Sequence, residues 1–265
     1  MKLPIPDFEM EDSIKSNMDK IMQETLLKFT PMTIDIIILS YGKTQPLIEL
    51  TQRTIDSVHA SETDIKFNVL VIEQEKGVVY ANCKNVHVSE PFNYNRFMNI
   101  GLGLTTNKYV ALCNNDLVFE KGWATELIAR IYGHNILGQD VLSGSPYCPK
   151  SFDRTVYRGG EFVNIGTNLH HHIAGWCIML NRDILKTIGK LDEDFPFWFA
   201  DNAFSEQLKA HGLLHVRANK SIVTHLGSST LNTMPNKDAL TTGLIKKFIA
   251  KYPDNESAKH FSKVR

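Results

Sequence analysis

Several familiar signatures are missing from this sequence. There is no G-x-x-x-x-G-K-S/T and no G-x-G-x-x-G, so the usual glycine-loop cradles for phosphate are excluded. Gly101-Leu102-Gly103 falls late in a helix pattern, which is the wrong context for one. No G-x-S-x-G nucleophile elbow is present. The four cysteines, Cys83, Cys113, Cys148 and Cys177, contain no Cys-x-x-Cys pair, which excludes zinc-ribbon and thioredoxin chemistry. Scattered in a chain of this size, they read as reduced, partly buried thiols and point to a cytoplasmic location. Neither sign of charge is in excess, with 29 Lys+Arg against 29 Asp+Glu, which argues against a general polyanion binder and leaves room only for a local basic patch. The most apolar stretch, Ile34 to Leu39, is interrupted by Asp35 and falls far short of the roughly 20 residues that a membrane span needs. The segment MKLPIPDFEMED is acidic after one Lys and has no apolar h-region, so no secretory signal is expected.

What is present describes a chain of 265 residues with ordinary globular usage, 43% apolar and 22% charged, ample for one large core. Residues 1–31 differ from the rest. Ile14, Met18, Ile21, Met22 and Leu26 recur at helical spacing before Pro31, as in a helix packed across the main body or one offered to a partner. From Thr33 the pattern alternates strand and helix. Strands are expected at Ile34–Leu39, Phe67–Glu73, Val86–Val88 and Lys108–Cys113, with helices over Pro46–Ala60, Asn95–Leu104 and Trp123–Tyr132. Repeated βα units imply an α/β fold, a mostly parallel central sheet flanked by helices.

The second half is more irregular. A strand is expected at Val141-Leu142, a hairpin arm over Tyr157–Ile165 and a strand over Gly175–Leu180. Helices follow over Arg182–Ile188 and Asn202–His211, then two short strands at Leu214–Val216 and Ile222–Thr224 that lead to His225. The tail from Ile245 carries six Lys/Arg against two Asp/Glu, an asymmetry that fits a solvated face.

In open parallel sheets, ligands bind outside the carboxyl ends of the strands, which directs attention to Ser40–Gly42, Glu73-Gln74 and Asn114–Asp116. Asn114-Asn115-Asp116 offers hard oxygen ligands for Mg²⁺ or Mn²⁺, or is simply turn chemistry ahead of a helix. Phe195-Pro196-Phe197-Trp198-Phe199-Ala200-Asp201 places a lone carboxylate behind four aromatic rings. Asp201 is therefore either a helix cap or a general base whose pKa an apolar cleft would raise. Trp176 and Trp198 are rings on which a sugar or base can stack. His225, at a strand end before Leu226-Gly227, suits either a metal ligand or a structural role. His170-His171-His172, on a segment read as extended, would point to opposite faces and make a poor metal tract.

In order, the pieces TIDIIILSYGK, NVLVIEQ, FNYNRFMNIGLG, KYVALCNNDLVFEKGW, IAGWCIMLNRDILKTIGKLDEDFPFWFADNAFSEQLKAHG and VTHLGSST resemble a glycosyltransferase with the A-type nucleotide-sugar fold, of the family 2 group, over residues 33–230. The resemblance implies a helical extension over 1–31, a transferase domain over 32–235 and a helical tail over 236–265. Within the domain it implies a nucleotide-binding half, 32–118, and an irregular acceptor-binding half, 119–235. It implies a nucleoside held by Ser40, Tyr41 and Glu73, and a divalent metal, Mn²⁺ or Mg²⁺, held on the donor diphosphate by Asp116 with His225. Asn114 and Asn115, in the place of the first two positions of Asp-x-Asp, would bind the donor, as would Asn93 and Arg96 in a stretch that resembles galactosyltransferase-type members. Asp201 would be the catalytic base of an inverting transfer, with Trp176 and Trp198 toward the acceptor. Three positions depart from the pattern. Asn114 replaces the first Asp of Asp-x-Asp, Ala200 the usual Glu before the base, and Tyr94 an Arg.

The expected donor is a nucleoside diphosphate sugar, uridine being the commonest base in that group, and the expected acceptor a glycan or glycoconjugate. A hydroxymethylated pyrimidine in DNA is the alternative acceptor, suggested by the basic tail with Arg154, Arg158 and the histidine tract, and opposed by the neutral net charge. A non-catalytic nucleotide-sugar or glycan-binding protein is the third reading, motivated by Asn114 and Ala200.

Overall fold

The computed structural model describes residues 32–150, 164–169, 171–227, 242–255 and 258. The expected helix over residues 1–31, Arg154, Arg158, His170 and most of the Tyr157–Ile165 arm lie outside them.

The first strand, β1 (Met32–Ser40), is buried on both faces because its side chains alternate between two apolar layers. Ile34, Ile36 and Ile38 pack with helix α1 (Gln45–Ala60) and helix α3 (Trp123–Ile136) on one side of the sheet. Ile37 and Leu39 pack with α2 (Tyr94–Gly103), α4 (Ile184–Ile188) and α5 (Ala200–Ala210) on the other. Helix α2 approaches closely because Gly101 has no side chain: a Cβ there would lie 2.6 Å from Ile37 Cγ2.

Strands β2 (Ile65–Glu73), β3 (Lys84–His87) and β4 (Tyr109–Cys113) complete a parallel order β3-β2-β1-β4. The sheet continues through β8 (Cys177–Asn181), β6 (Val141–Tyr147), β9 (Leu214–His225) and β5 (Leu117–Phe119), with β7 (Asn164–Gly166) paired to β9. Strands β1, β2, β3, β4, β6 and β9 run one way, and β5, β7 and β8 the other. The winding reverses between β1 and β4, so the carboxyl ends of these neighbours form the crevice where a ligand is expected.

Several sequence expectations need correction. The two short strands before His225 are one 12-residue strand, β9. It pairs with β6 as far as Ile222 and with β5 over Val223, Thr224 and His225, so the polar residues Asn219 and Lys220 mark a register shift against β6, not a break. Strand β6 runs on to Tyr147, with Pro146 tolerated beside a register shift. The three-residue β5 was not expected at all. His171 and His172 lie in a turn, not on an extended segment. The described part of the tail forms a 3₁₀ turn (Thr242–Leu244) and helix α6 (Ile245–Lys251).

Candidate active site

The expected residues at the ends of β1 and β2 form one buried network. Glu73 Oε1 accepts hydrogen bonds from the backbone N–H of Gly42 (2.9 Å) and of Glu75 (2.7 Å), and Oε2 accepts from the Tyr80 hydroxyl (2.7 Å). The Tyr80 hydroxyl lies 2.8 Å from Ser40 Oγ, which lies 2.9 Å from Thr51 Oγ1. Asn115 Nδ2 donates to Thr51 Oγ1 at 2.9 Å, which closes the chain. Burial raises the Tyr80 phenol well above its ordinary range, keeping it a neutral donor toward Glu73. Tyr80 and Thr51 thus join Ser40, Glu73 and Asn115, and neither had been singled out from sequence. Tyr41 stands outside the network, half-buried, with Lys43 Nζ 6.0 Å from its ring centre.

The turn after β4 is pinned from below. Thr54 Oγ1 donates to the Asn115 carbonyl (2.8 Å) and accepts from Leu117 N–H (3.1 Å), and Asn114 N–H donates to the Trp176 carbonyl (2.9 Å). These ties fix Asp116, whose side chain is 6% exposed. Strand β5 then delivers His225: Leu117 pairs with His225, and Leu226 N–H donates to the Asp116 carbonyl at 2.9 Å. His225 Nε2 ends 3.2 Å from Asp116 Oδ1, buried yet making no hydrogen bond. The Trp176 ring stacks on His225 at 5.5 Å with a 16° interplanar angle. A carboxylate oxygen and an imidazole nitrogen converge here, a donor pair suited to Mn²⁺.

Asp201 lies in the first turn of α5, behind Phe199 at the cap position; it does not cap the helix itself. Its Oδ1 accepts from Asn202 N–H at 2.9 Å. It packs directly against Gly175, where a Cβ would come within 2.6 Å of Asp201 Oδ2. Gly175 directly precedes Trp176, so the seat of Asp201 and the ring that stacks on His225 are adjacent in the chain. Gly175 was not singled out from sequence, although it lies inside the IAGWC stretch. The Tyr94 hydroxyl donates to the Gly175 carbonyl at 3.2 Å, and burial, with the nearby Cys113, Cys177 and Asp201, keeps that phenol protonated.

The other expected residues turn elsewhere. Asn93 caps α2, accepting from Arg96 N–H (3.0 Å) and donating to the Glu193 carbonyl (2.8 Å). Arg96 pairs with Glu90 and, at 3.5 Å, with Glu193. Together the two side chains thus bind Glu90 and the segment after α4. Trp198 is 41% exposed and meets Phe199 edge-on. All four cysteines are free thiols, with Cys113 and Cys177 facing each other across β4 and β8 at 3.8 Å.

The sequence matches no protein-family model and none of the curated proteins. Solved structures do match. A crystal structure of GalNAc-T7 with UDP, GalNAc and Mn²⁺ aligns over 94% of this chain, with a TM-score of 0.58 at 10% identity. The mannosyltransferase PcManGT from Pyrobaculum calidifontis, in complex with GDP-Man and Mn²⁺, aligns over 92%, with a TM-score of 0.57 at 11% identity. The chain has the A-type glycosyltransferase fold. It spans 60% of GalNAc-T7's chain and 75% of the mannosyltransferase's. Within this fold, Asp116 follows β4 and His225 ends β9, both at the carboxyl ends of their strands, and Asp201 lies in the first turn of α5. No helix among the described residues is long and apolar enough to cross a membrane.

Proposed function

We propose that this protein is an inverting glycosyltransferase that moves a sugar from a nucleoside diphosphate sugar to an acceptor hydroxyl. The observation that carries the reading is the Asp116–His225 pair, 3.2 Å apart with His225 Nε2 buried and without a hydrogen bond. A buried imidazole nitrogen that makes no hydrogen bond is costly unless a ligand completes it. No group of three metal-ligating side chains occurs among the described residues, so a cation held by Asp116 and His225 would need its remaining ligands from a donor and water. That is the arrangement a diphosphate donor needs. Two of the matching solved structures hold UDP with GalNAc and GDP-Man, each with Mn²⁺, which supports both the donor class and the metal.

Asp116 and His225 would hold Mn²⁺ or Mg²⁺, which when bound neutralises charge that builds on the departing diphosphate. The chain's own residues do the rest. The network of Glu73, Tyr80 and Ser40 fixes the Gly42 backbone at the lip of the crevice, where the nucleoside lies beside Tyr41. Trp176 holds the His225 ring in plane and keeps water from that side. Asp201 takes the proton from the acceptor hydroxyl as its oxygen attacks the anomeric carbon on the face opposite the diphosphate. One displacement inverts the anomeric configuration. The acceptor belongs to the glycan or glycoconjugate class, with the exposed Trp198 ring as its stacking surface.

The test is Asp201→Asn, assayed with a nucleotide-sugar panel and Mn²⁺. Transfer is lost while metal-dependent donor binding stays, and the unsubstituted chain gives a product of inverted configuration. Near-normal turnover in the variant, or a product of retained configuration, contradicts the assignment of Asp201 as base.

A further inference from the structure

Phe199 is one of two non-glycine residues with a left-handed backbone among the described residues, at φ +69°, and it is the cap residue of α5, two positions before Asp201. Such a conformation is strained for a bulky residue and persists only where the surroundings over-determine it. What determines it here is α6, from the tail. The Phe199 ring stacks on Phe248 at 4.4 Å and 13°, the closest ring pair of a satellite core formed by Phe195, Phe199, Ala203, Phe248 and Ala258.

The same helix grips the strap that leads into Phe199. Lys251 Nζ bridges Asp192 Oδ2 (2.7 Å) and Asp194 Oδ2 (2.6 Å). Lys247 Nζ reaches the Asp194 carbonyl and Oδ1, both at 3.0 Å, and the Tyr252 hydroxyl donates to Asp192 Oδ2 at 2.8 Å. The fully buried Phe195 ring lies under both ammonium groups, at 5.8 Å and 5.7 Å. Farther on, Asn255 Nδ2 donates to Glu206 Oε1 on α5 itself at 2.6 Å. On its other side the strap is tied to α2, where Tyr94 N–H donates to the Pro196 carbonyl. The residues before Asp201 are therefore held between α2 and α6, more than forty positions away along the chain on the α6 side.

We propose that α6 is a positioning element for Asp201, with Phe248 and Lys251 as its positioning residues. Phe248 locks the left-handed turn at Phe199, and Lys251 locks the strap over 192–199. Together they set where the first turn of α5 presents the Asp201 carboxylate against Gly175. The contacts of Phe248 and Lys251 are with Asp192, Asp194, Phe195, Phe199 and Tyr252, away from the Asp116–His225 pair, so donor capture is independent of the clamp. The proposal rests on the reading of Asp201 as the base.

The test uses the full chain with Phe248→Leu and Lys251→Met, and Lys251→Arg as the conservative control. Lys251→Met changes a partly exposed side chain, so it stays folded even where Phe248→Leu does not. The expected result is a fall in kcat of about tenfold to a hundredfold, the scale of a catalytic group displaced by an ångström. The Kd for donor with Mn²⁺ and the donor KM stay unchanged, and Lys251→Arg retains activity. Amide hydrogen exchange over 195–204 speeds up in the same variants. Unchanged turnover and exchange in folded variants overturn the proposal, as does a loss of donor affinity equal to the loss of turnover. If the unsubstituted chain transfers no sugar, the transferase reading fails. Exchange over 195–204 then decides alone, faster exchange supporting the clamp and unchanged protection overturning it.

Discussion

Two buried aspartates sit at opposite ends of the same sheet and have opposite surroundings. Asp35, toward the amino end of β1, is saturated. It accepts from Asn68 Nδ2, Asn107 N–H and Asn107 Nδ2, each at 2.7 Å, and from Arg182 Nη2 at 3.3 Å. Asp116, at the carboxyl end, has one described side-chain contact for its carboxylate, His225, without a hydrogen bond. Both are charged groups removed from water, but only one has its compensation supplied by the protein. A saturated carboxylate holds β1, β4 and the end of β8 together. An under-compensated one is poised for a ligand, and the fold accepts the cost at that end alone.

The largest effect follows from breaking the saturated end. Asp35→Ala leaves Arg182 and the Asn107 N–H without their acceptor and is expected to destabilise the fold by about 3–5 kcal/mol, read by denaturant melts. Asp116→Asn at the other end should change stability by less than about 1 kcal/mol, or raise it, because it removes an under-compensated charge. Equal losses at both sites would erase the contrast.

A second effect sharpens the contrast within the site. Gly175→Ala places a methyl 2.6 Å from Asp201 Oδ2, so Asp201 must move. Transfer should fall by about a hundredfold, the consequence of an ångström's displacement, while Mn²⁺-dependent donor binding measured by calorimetry persists. Glu73→Gln comes next. Its amide nitrogen cannot accept, so one of Gly42 N–H, Glu75 N–H or the Tyr80 hydroxyl loses its partner, at a cost of about 1–3 kcal/mol and with weaker nucleotide binding.

The parallel half of the fold was legible because strands covered on both faces are continuous apolar runs, and β1, β2 and β4 are such runs. Strand β5 was not legible, since Leu117–Phe119 is too short to show a period and follows a turn-like Asn-Asn-Asp. Strand β9 was misread as two because Asn219 and Lys220 interrupt its apolar pattern at a register shift against β6. In the site, the convergence of Asp116 and His225 came from a resemblance, not from spacing, for no local pattern relates residues 109 positions apart. Tyr80 left no signal: a tyrosine in the loop GVVYANC is recognisable as a partner of Glu73 only once β1 and β2 are paired. The grip of Lys247 and Lys251 on Asp192 and Asp194 was hidden for the same reason. In sequence that tail read as a solvated basic face.

The smallest expected effect is in the pH dependence of stability. His215 is fully buried between Ser143 Oγ (2.8 Å) and Ser145 Oγ (2.9 Å), and burial, with His172 and Arg217 nearby, holds its pKa well below the usual histidine range. The unfolded chain binds a proton there near pH 6.5 and the folded chain does not, so stability present above about pH 6.5 is lost as the pH falls. Denaturant melts between pH 7.5 and 5.5 should show that slope, and His215→Gln should flatten it.

The contrast between the two aspartates is tested most directly by nucleotide-sugar binding, with and without Mn²⁺, to the unsubstituted chain and to Asp116→Asn. A donor at a hundredfold excess over its Kd stabilises a folded protein by about 2.7 kcal/mol, readily seen as a rise in Tm. The account predicts a rise with one donor that needs Mn²⁺ and vanishes in Asp116→Asn. A rise that is independent of metal, or that survives the substitution, would contradict it.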